Sequence, residues 1–377
     1  MTLTTGVVIT GTGLVSPLGC GAPQLLDRIG RGETASSRTP FDAGAFACPL
    51  YAPAADFDAA QYFPNNKTLR LMNRDAQMAV VAARLAAQDA GLIADETYPG
   101  ERIALFGATG LSSLPAEEIS SLVRNSAAPD GSLDLGRFGQ VALKRVRPVL
   151  SFKILANMPI CFVSIFENIR GENAVYAPWE GQGAQAIAAG LRAIRRGAAP
   201  CALVGGCDVK THEFSFISLQ QLGGFDSWRR HGRGSVPGEG AAFLVLEAEQ
   251  HALARGARIY ARIRDCRFAT VGSAALKDVF SSLMAGLNLA GGVSLIAAGD
   301  GEVSVSQAEE QALEAAALRP QTVLRPKAHL GNLFAAAAAV QVGLAAEVAR
   351  RDPDRRAVLA NCFGHGSEQA AFVLEAV

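Results

Sequence analysis

The chain has 377 residues, 49% of them apolar, and its 35 Lys and Arg residues balance its 35 Asp and Glu residues. This length and composition allow a large buried core, while the formal net charge of zero gives no overall attraction to nucleic acid or to an anionic membrane. The seven cysteines include no C-x-x-C pair, so neither a zinc site nor a disulfide scaffold is expected.

The N-terminus and the apolar segments predict where the protein resides. The opening residues, MTLTTGVVIT, lack a basic leader followed by an apolar region. No uninterrupted apolar stretch approaches the ~20 residues that cross a bilayer. We therefore expect a cytoplasmic protein that binds neither membrane nor nucleic acid and holds no cofactor.

The first half of the chain alternates between predicted strands and helices. Residues 6–19, GVVITGTGLVSPLG, are typical of a buried strand that runs into a turn, and the Ala-rich residues 73–91 have helical spacing. Residues 125–135, NSAAPDGSLDL, have the composition of a loop. The remaining predicted strands lie at 103–110, 173–177, 201–208 and 243–247, and the remaining helices at 183–197 and 249–256.

The second half resembles the first in outline. It has a predicted strand at 293–298, a helix at 306–318, an Ala-rich helix from Leu333 and a strand at 357–360. This similarity indicates an internal duplication. Because strands alternate with helices, we expect a mostly parallel sheet covered by helices on both faces.

Seven blocks of sequence, in the same order, resemble the β-ketoacyl-acyl carrier protein synthase family. They are VVITGTGLVSPLG, NRDAQMAVVAARLAAQDAG, RGENAVY, RRGAAPCALVGGCD, VPGEGAAFLVLE, PKAHLGNLFAAAAAV and NCFGHGS. The resemblance implies the thiolase-like α/β fold, with αβαβα layers and two similar halves. We expect an N-terminal half with cap insertions over residues 1–240 and a C-terminal half over residues 241–377, both in one compact unit.

The family's catalytic residues are replaced in this chain. Family members place a nucleophilic cysteine at a helix N-terminus, which lowers the pKa of the thiol, and the matching residue here is Glu180. The two catalytic histidines correspond to Ala298 and Asn332, whereas Lys327 of the second histidine motif is retained. Loss of the nucleophile alone costs on the order of 10⁶ in kcat in a triad enzyme, so no autonomous condensation is expected.

Glu180 has three interpretations that the sequence leaves open. It is a polar plug in the vacated pocket, a general base for other chemistry, or a neutral mimic if burial raises its pKa. Asp300 either pairs with Glu180 for acid/base work or is a solvated loop residue. His329 either turns into the old site or is structural.

The resemblance also implies residues of an acyl tunnel or a subunit interface. Leu111 stands where the family has an apolar residue that limits acyl-chain length, and Trp179 would cap the substrate pocket. Core packing is the alternative for both. The full set is Leu111, Met158, Phe162, Phe166, Trp179, Phe363 and His365. Arg192, Arg195 and Arg196 would suit an acidic carrier protein, or simply complement a helix dipole.

The pattern is most similar to a chain length factor, the ketosynthase beta subunit of type II polyketide and aryl polyene systems. The resemblance implies a heterodimer with a catalytic ketosynthase, in which this subunit shapes the acyl tunnel and an acyl carrier protein binds the complex. A first alternative is a repurposed enzyme that uses Glu180 in hydrolysis, dehydration or cyclisation. Two others are a starter-unit decarboxylase, which the missing histidines disfavour, and a homodimeric scaffold.

Overall fold

The computed structural model describes residues 5–41, 44–64, 66–111, 116–146, 148–285, 287, 289, 293–299, 301–353 and 357–377. Its strands are β1 (Val7–Ser16), β2 (Gly19–Cys20), β3 (Ser37–Arg38), β4 (Leu50–Tyr51), β5 (Ile103–Thr109), β6 (Asn173–Tyr176), β7 (Cys201–Val209), β8 (Glu239–Ala248), β9 (Ala261–Thr270), β10 (Val293–Ile296), β11 (Thr322–Leu324), β12 (Ala357–Cys362) and β13 (Glu368–Glu375).

The helices of the described residues vary in length from a single turn to several turns. They are α1 (Ala22–Gly30), α2 (Arg74–Ala90), α3 (Ala116–Ser126), α4 (Leu135–Arg137), α5 (Leu143–Arg145), α6 (Leu150–Ile154), α7 (Met158–Phe166), α8 (Glu180–Arg195), α9 (Glu213–Gln221), α10 (Asp226–His231), α11 (Glu249–Ala254), α12 (Leu276–Met284), α13 (Val303–Ala315), α14 (Pro326–Leu330) and α15 (Ala337–Arg351). Short 3₁₀ turns occur at Ala59–Gln61, Lys67–Leu71, Gly100–Arg102 and Phe334–Ala336, and a π-helical turn at Phe138–Ala142.

The large sheet repeats one strand order on its two sides. Its order is β11-β10-β12-β13-β9-β1-β8-β7-β5-β6, with β2 paired to β1. From the middle outwards, one side reads β1-β8-β7-β5-β6 and the other reads β9-β13-β12-β10-β11. A short pairing of Val8 with Arg262 and of Ile9 with Ala261 joins the sides. The boundary at residue 240 between two halves stays a prediction.

The expectation of a mostly parallel sheet was wrong. Strands pair in parallel only towards the two ends, where β7, β5 and β6 lie together and where β12, β10 and β11 lie together. The neighbours in the middle, from β7 through β8, β1, β9 and β13 to β12, are antiparallel. Residues 210–238 leave β7 and enter β8 at the same end of the sheet, so these two strands are antiparallel. The alternation of strands and helices along the sequence does not reveal this strand direction.

The helices cover the strands in layers, and the predicted layered α/β fold is confirmed. Helices α8 and α15 contact each other and strands from both sides of the sheet, so they form the middle layer. Helix α2 covers β1 and β8 from outside, while α12 packs on β9 and on α13. Separate apolar clusters fill the spaces between these layers.

Local backbone conformation explains where two helices differ from their predicted bounds. Helix α8 ends before Gly197, which has a φ of 74°, and it begins at Glu180 rather than at residue 183. Helix α13 covers Val303–Ala315 rather than 306–318. Its earlier end agrees with Ala317, which adopts the left-handed conformation with a φ of 53°. Within the described residues, no helix is long and apolar enough to cross a membrane.

Candidate functional site

Glu180 lies at the first turn of α8, immediately after the loop that follows β6. The turn is held by Gln182, whose side-chain oxygen accepts a hydrogen bond from the backbone N–H of Trp179 at 3.0 Å. Glu180 is only 1% exposed. Its carboxylate therefore lies at the positive end of a helix, where a negative charge is stabilised.

Three side chains surround the Glu180 carboxylate. Asn332 Nδ2 donates to Glu180 Oε1 at 2.7 Å, and His365 Nδ1 lies 3.2 Å from the same oxygen. Lys327 Nζ is 3.8 Å from Glu180 Oε1 and donates to the carbonyl oxygen of Phe363 at 2.7 Å. We call Glu180, Lys327, Asn332 and His365 the Glu180 cluster.

The cluster keeps Glu180 ionised. Burial by itself would raise the pKa of Glu180, but the hydrogen bond and charge of His365, the charge of Lys327 and the Asn332 amide together hold this pKa well below its usual range. The carboxylate is consequently negative at neutral pH. This state differs from the neutral mimic considered from the sequence.

A glycine turn closes directly over the carboxylate. A Cβ added to Gly364 would lie 2.1 Å from Glu180 Cδ, and one added to Gly366 would lie 2.9 Å from Trp179 Cβ. The turn is held by Gln369, which accepts from the Gly364 N–H at 2.9 Å and donates to the Gly366 carbonyl at 2.6 Å. Only glycine therefore allows the C-terminal block to approach this closely.

Asn332 forms hydrogen bonds with the backbone around it. Its Oδ1 accepts from the Phe334 N–H at 2.9 Å, and its own N–H donates to the Val236 carbonyl at 2.7 Å. Phe334 has a φ of 46°, which is unusual for a bulky residue. The strained segment places the Phe334 ring 5.5 Å from the His365 ring, on the side of the Glu180 cluster.

Ala298, which the motifs predict at the position of the first family histidine, has only a methyl side chain. It is fully buried in an apolar cluster with Phe363, and its N–H donates to Glu309 Oε1 at 3.0 Å. Asp300 lies outside the described residues, so a Glu180/Asp300 pair stays a prediction. Position 298 therefore carries no group able to stabilise an oxyanion.

The two histidines discussed from the sequence lie in different places. His329 Nδ1 is 2.8 Å from the carbonyl oxygen of Glu33, and its carbonyl accepts from the Ala35 N–H. It thus joins α14 to the segment after α1. His365 instead stacks on Trp179, with 6.1 Å between ring centroids, and about 20% of its side chain is exposed.

A family comparison agrees with the motifs of the chain. The model of the β-ketoacyl synthase N-terminal domain matches residues 4–252, which is more than half of the chain. The chain belongs to the β-ketoacyl synthase family. The resemblance predicted from the seven sequence blocks is thereby confirmed.

Known members of the family align with most of this chain. A 3-oxoacyl-[acyl-carrier-protein] synthase 2 of Synechocystis sp. is 27% identical over 266 residues, covering 67% of this chain and 60% of that protein. The chain spans only about 60% of the length of the curated relatives that it matches. The similarity therefore does not assign the full activity of these relatives to this chain.

Solved structures of the β-ketoacyl synthase family share the fold. The ishigamide ketosynthase/chain length factor matches with a TM-score of 0.78 and 24% identity, over 99% of this chain and 100% of that one. A type II polyketide synthase acyl carrier protein in complex with its ketosynthase matches with a TM-score of 0.79 and 19% identity, over the same shares. At these identities, the likeness concerns the fold.

In this β-ketoacyl synthase family member, two of the predicted tunnel residues line one cleft. Leu111 and Trp179 line a partly open cleft of about 180 Å³, together with Ile154 and Leu222. Leu111 is 64% exposed, so it is not a core residue. Glu180 is not among the residues that line this cleft, although its neighbour Trp179 is.

The three predicted residues of α7 have different surroundings. Phe162 is buried in the apolar cluster beneath the sheet, and Met158 and Phe166 pack against that cluster. The Phe166 ring lies 4.9 Å from that of Phe63. Their role in a tunnel or interface stays a prediction, and Ile165 on the same helix is 67% exposed.

Several residues at the site were not singled out from the sequence. Ser235 Oγ lies 3.4 Å from Asn332 Nδ2, and Phe280 stacks on Phe363 with 3.8 Å between ring centroids. Lys210 lines the cleft and pairs with Asp208. Only Lys210 carried a signal, since a lysine directly after the apolar strand β7 lies at the carboxyl end of parallel strands.

The described residues hold no cluster suited to a metal. No group of three or more His, Cys, Asp or Glu side chains in this part of the chain could hold a metal ion. The three arginines near the end of α8 are exposed, and Arg196 forms an ion pair with Glu172.

Proposed function

We propose that this chain is a non-condensing, chain-length-factor-like subunit that pairs with a catalytic ketosynthase in type II polyketide or polyene biosynthesis. The Glu180 cluster carries the proposal. An ionised carboxylate fills the position of the nucleophile, and Asn332, Lys327 and His365 hold it there. The Glu180 cluster thus fills and closes the position at which this subunit would otherwise hold an acyl group.

Two chemical reasons support the absence of condensation. A carboxylate paired with Lys327 and Asn332 does not form the thioester that the family uses to hold an acyl chain. The Ala298 side chain has no hydrogen-bond donor, and its backbone N–H already donates to Glu309. The tunnel role therefore rests on shape, with Leu111 and Trp179 as wall residues of this subunit.

The sheet edge at β6 supports a partner subunit. Among the strands of the described residues, β6 pairs with β5 alone, and Val175 is 37% exposed. Unpaired strand edges with exposed apolar neighbours favour pairing with another chain. Helix α7, which packs on β5 next to β6, carries the exposed apolar residue Ile165. An acyl carrier protein would bind the resulting complex, for which the exposed Arg192 and Arg195 offer positive charge.

Substitution of Glu180 tests the proposal. The chain is combined with the catalytic ketosynthase from the same gene neighbourhood, its carrier protein and malonyl units, and product formation is measured. Glu180→Gln should leave condensation intact, since the partner supplies the catalysis. Replacement of the partner's catalytic cysteine by Ala should abolish condensation. Loss of all product with Glu180→Gln, in a complex that still assembles, would contradict the proposal.

One observation favours a second candidate, a repurposed enzyme. His365 stands 3.2 Å from Glu180 and is partly exposed, which is the arrangement of a general base and its orienting carboxylate. In this case the isolated chain would hydrolyse or cyclise a polyketide-type thioester. Glu180→Gln and His365→Ala would each abolish that activity, whereas the partner-subunit proposal predicts no turnover by the isolated chain.

A further inference from the structure

Lys210 is a buried cation that faces an apolar cleft. It follows β7 directly and is only 7% exposed. Its cleft is lined by Leu111, Ile154, Trp179, Phe214 and Leu222 as well. We call this space the Lys210 cleft. A charge in such surroundings is costly unless its hydrogen bonds are satisfied.

The Lys210 ammonium has unused hydrogen-bonding capacity. Nζ donates to Asp208 Oδ1 at 2.5 Å and lies 5.7 Å from the centre of the Phe334 ring. An ammonium carries three N–H donors, and Asp208 is the one acceptor that Nζ has among the described residues. At least one donor is therefore available to an acceptor within the cleft.

The charge around Lys210 determines which acceptor fits. Lys210 and Asp208 neutralise each other, and Asp75 is close enough for the charge of Asp208 to act on its pKa. A carboxylate ligand would be attracted by Lys210 but repelled by Asp208, which lies 2.5 Å from the Lys210 ammonium. An uncharged carbonyl oxygen can accept from Nζ without adding charge to this site.

We propose that the Lys210 cleft binds a small uncharged carbonyl compound, whose oxygen accepts a hydrogen bond from Lys210 and whose apolar body lies against Trp179 and Leu222. The site goes beyond the proposed function, because it needs neither a partner subunit nor Glu180. Lys210 would determine specificity as the charged residue of the lining. Ser215 and Ser218 also line the cleft, and the Ser218 hydroxyl donates to the Phe214 carbonyl at 2.9 Å. The Lys210 cleft would then be a selective binding site in addition to a part of the tunnel wall.

Three probes of similar size and shape test the proposal. Acetophenone carries the neutral carbonyl, benzoate carries a negative charge, and ethylbenzene carries no acceptor. The chain is used alone and is labelled with ¹⁵N at tryptophan, because Trp179 and Trp228 are its two tryptophans. Trp179 lines the Lys210 cleft, whereas the Trp228 indole N–H donates to the Ser235 carbonyl and serves as an internal control.

The expected result is a shift of the Trp179 indole signal with little change at Trp228. Acetophenone should bind about tenfold more tightly than ethylbenzene and benzoate, as one hydrogen bond from a charged donor allows. In the double variant Lys210→Met/Asp208→Asn, acetophenone and ethylbenzene should bind equally. Both members of the pair are replaced because an unpaired buried Asp208 would destabilise the fold.

Several results would overturn the proposal. These are tighter binding of benzoate, equal binding of all three probes, a preference for acetophenone that survives in the double variant, and no shift at Trp179 up to the solubility limit. Ser218→Phe, which fills the cleft while Lys210 stays in place, should abolish binding of all probes. Because no ketosynthase is present, failure here would leave the partner-subunit proposal untouched.

Discussion

At the scale of single residues, Glu180 is a buried anion that stabilises the fold through its neighbours. Glu180→Ala removes the charge opposite Lys327, which is only 3% exposed on its side chain. An unpaired buried charge costs about 3–5 kcal/mol, and we expect that loss of unfolding free energy in chemical denaturation. Glu180→Gln keeps the hydrogen bond from Asn332 and should cost less.

The charge of Glu180 also predicts a dependence on pH. Its pKa in the folded protein lies below its ordinary value of 4.5, so the stabilisation is present above pH 4.5 and is lost as the pH falls further. The unfolding free energy of the native chain should therefore decrease below pH 4.5 more steeply than that of Glu180→Gln. Glu310→Gln, at an exposed glutamate, serves as the control and should follow the native chain.

Asp75 predicts the opposite dependence. Burial, together with the charge of Asp208, raises the pKa of Asp75 from 3.8 to about 7. The folded state holds this proton more tightly than the unfolded state, so stability falls as the pH rises from 4 to 7. The change corresponds to about 4 kcal/mol, and Asp75→Asn should remove it. Unfolding titrations from pH 4 to 8 measure this, with exposed Asp56→Asn as the control; parallel curves for Asp75→Asn and the native chain would contradict it.

At the scale of elements, glycines control how closely the two middle helices approach. A Cβ at Gly183 in α8 would lie 2.6 Å from the Ala335 carbonyl oxygen, which belongs to the backbone that leads into α15. Gly183→Ala should therefore lower the unfolding free energy by about 1–3 kcal/mol.

Gly343 in α15 is the matched control for that prediction. A Cβ there would meet only the side-chain ends of Leu244 and Leu14, at 3.3 and 3.4 Å. Gly343→Ala should leave stability unchanged or raise it by up to about 1 kcal/mol, since alanine favours a helix. Equal effects of the two substitutions would mean that the helices do not pack as described.

The elements also show what the sequence could predict. The strands and helices follow from apolar periodicity, and the thiolase-like fold follows from seven motifs in order. The direction of β8 could not be predicted, because the path of residues 210–238 is not visible in local patterns. At the site, motif spacing predicted Glu180 and Asn332, which the structure brings into contact, while their catalytic correspondence and that of Ala298 stay predictions. The contact of Glu180 with His365 could not be predicted, because it joins residues 185 apart along the chain.

At the scale of the whole molecule, the two edges of the sheet offer a direct comparison. We expect the β6 edge to form the subunit interface, so Val175→Asp should weaken binding to the ketosynthase at least tenfold by placing a charge in an apolar contact. Val323 is similarly exposed at the opposite edge, on β11, and Val323→Asp should bind normally. Equal weakening by both substitutions, with both chains folded by circular dichroism, would exclude β6 as the specific interface.

The most direct test of the proposed function is the native mass of the chain, expressed alone and together with an intact ketosynthase from the same gene neighbourhood. A non-condensing partner subunit predicts a stable one-to-one heterodimer in the co-expressed sample. A homodimer whose mass is unaffected by the ketosynthase would contradict the proposal, and the Glu180–His365 pair would then be the place to seek an independent activity.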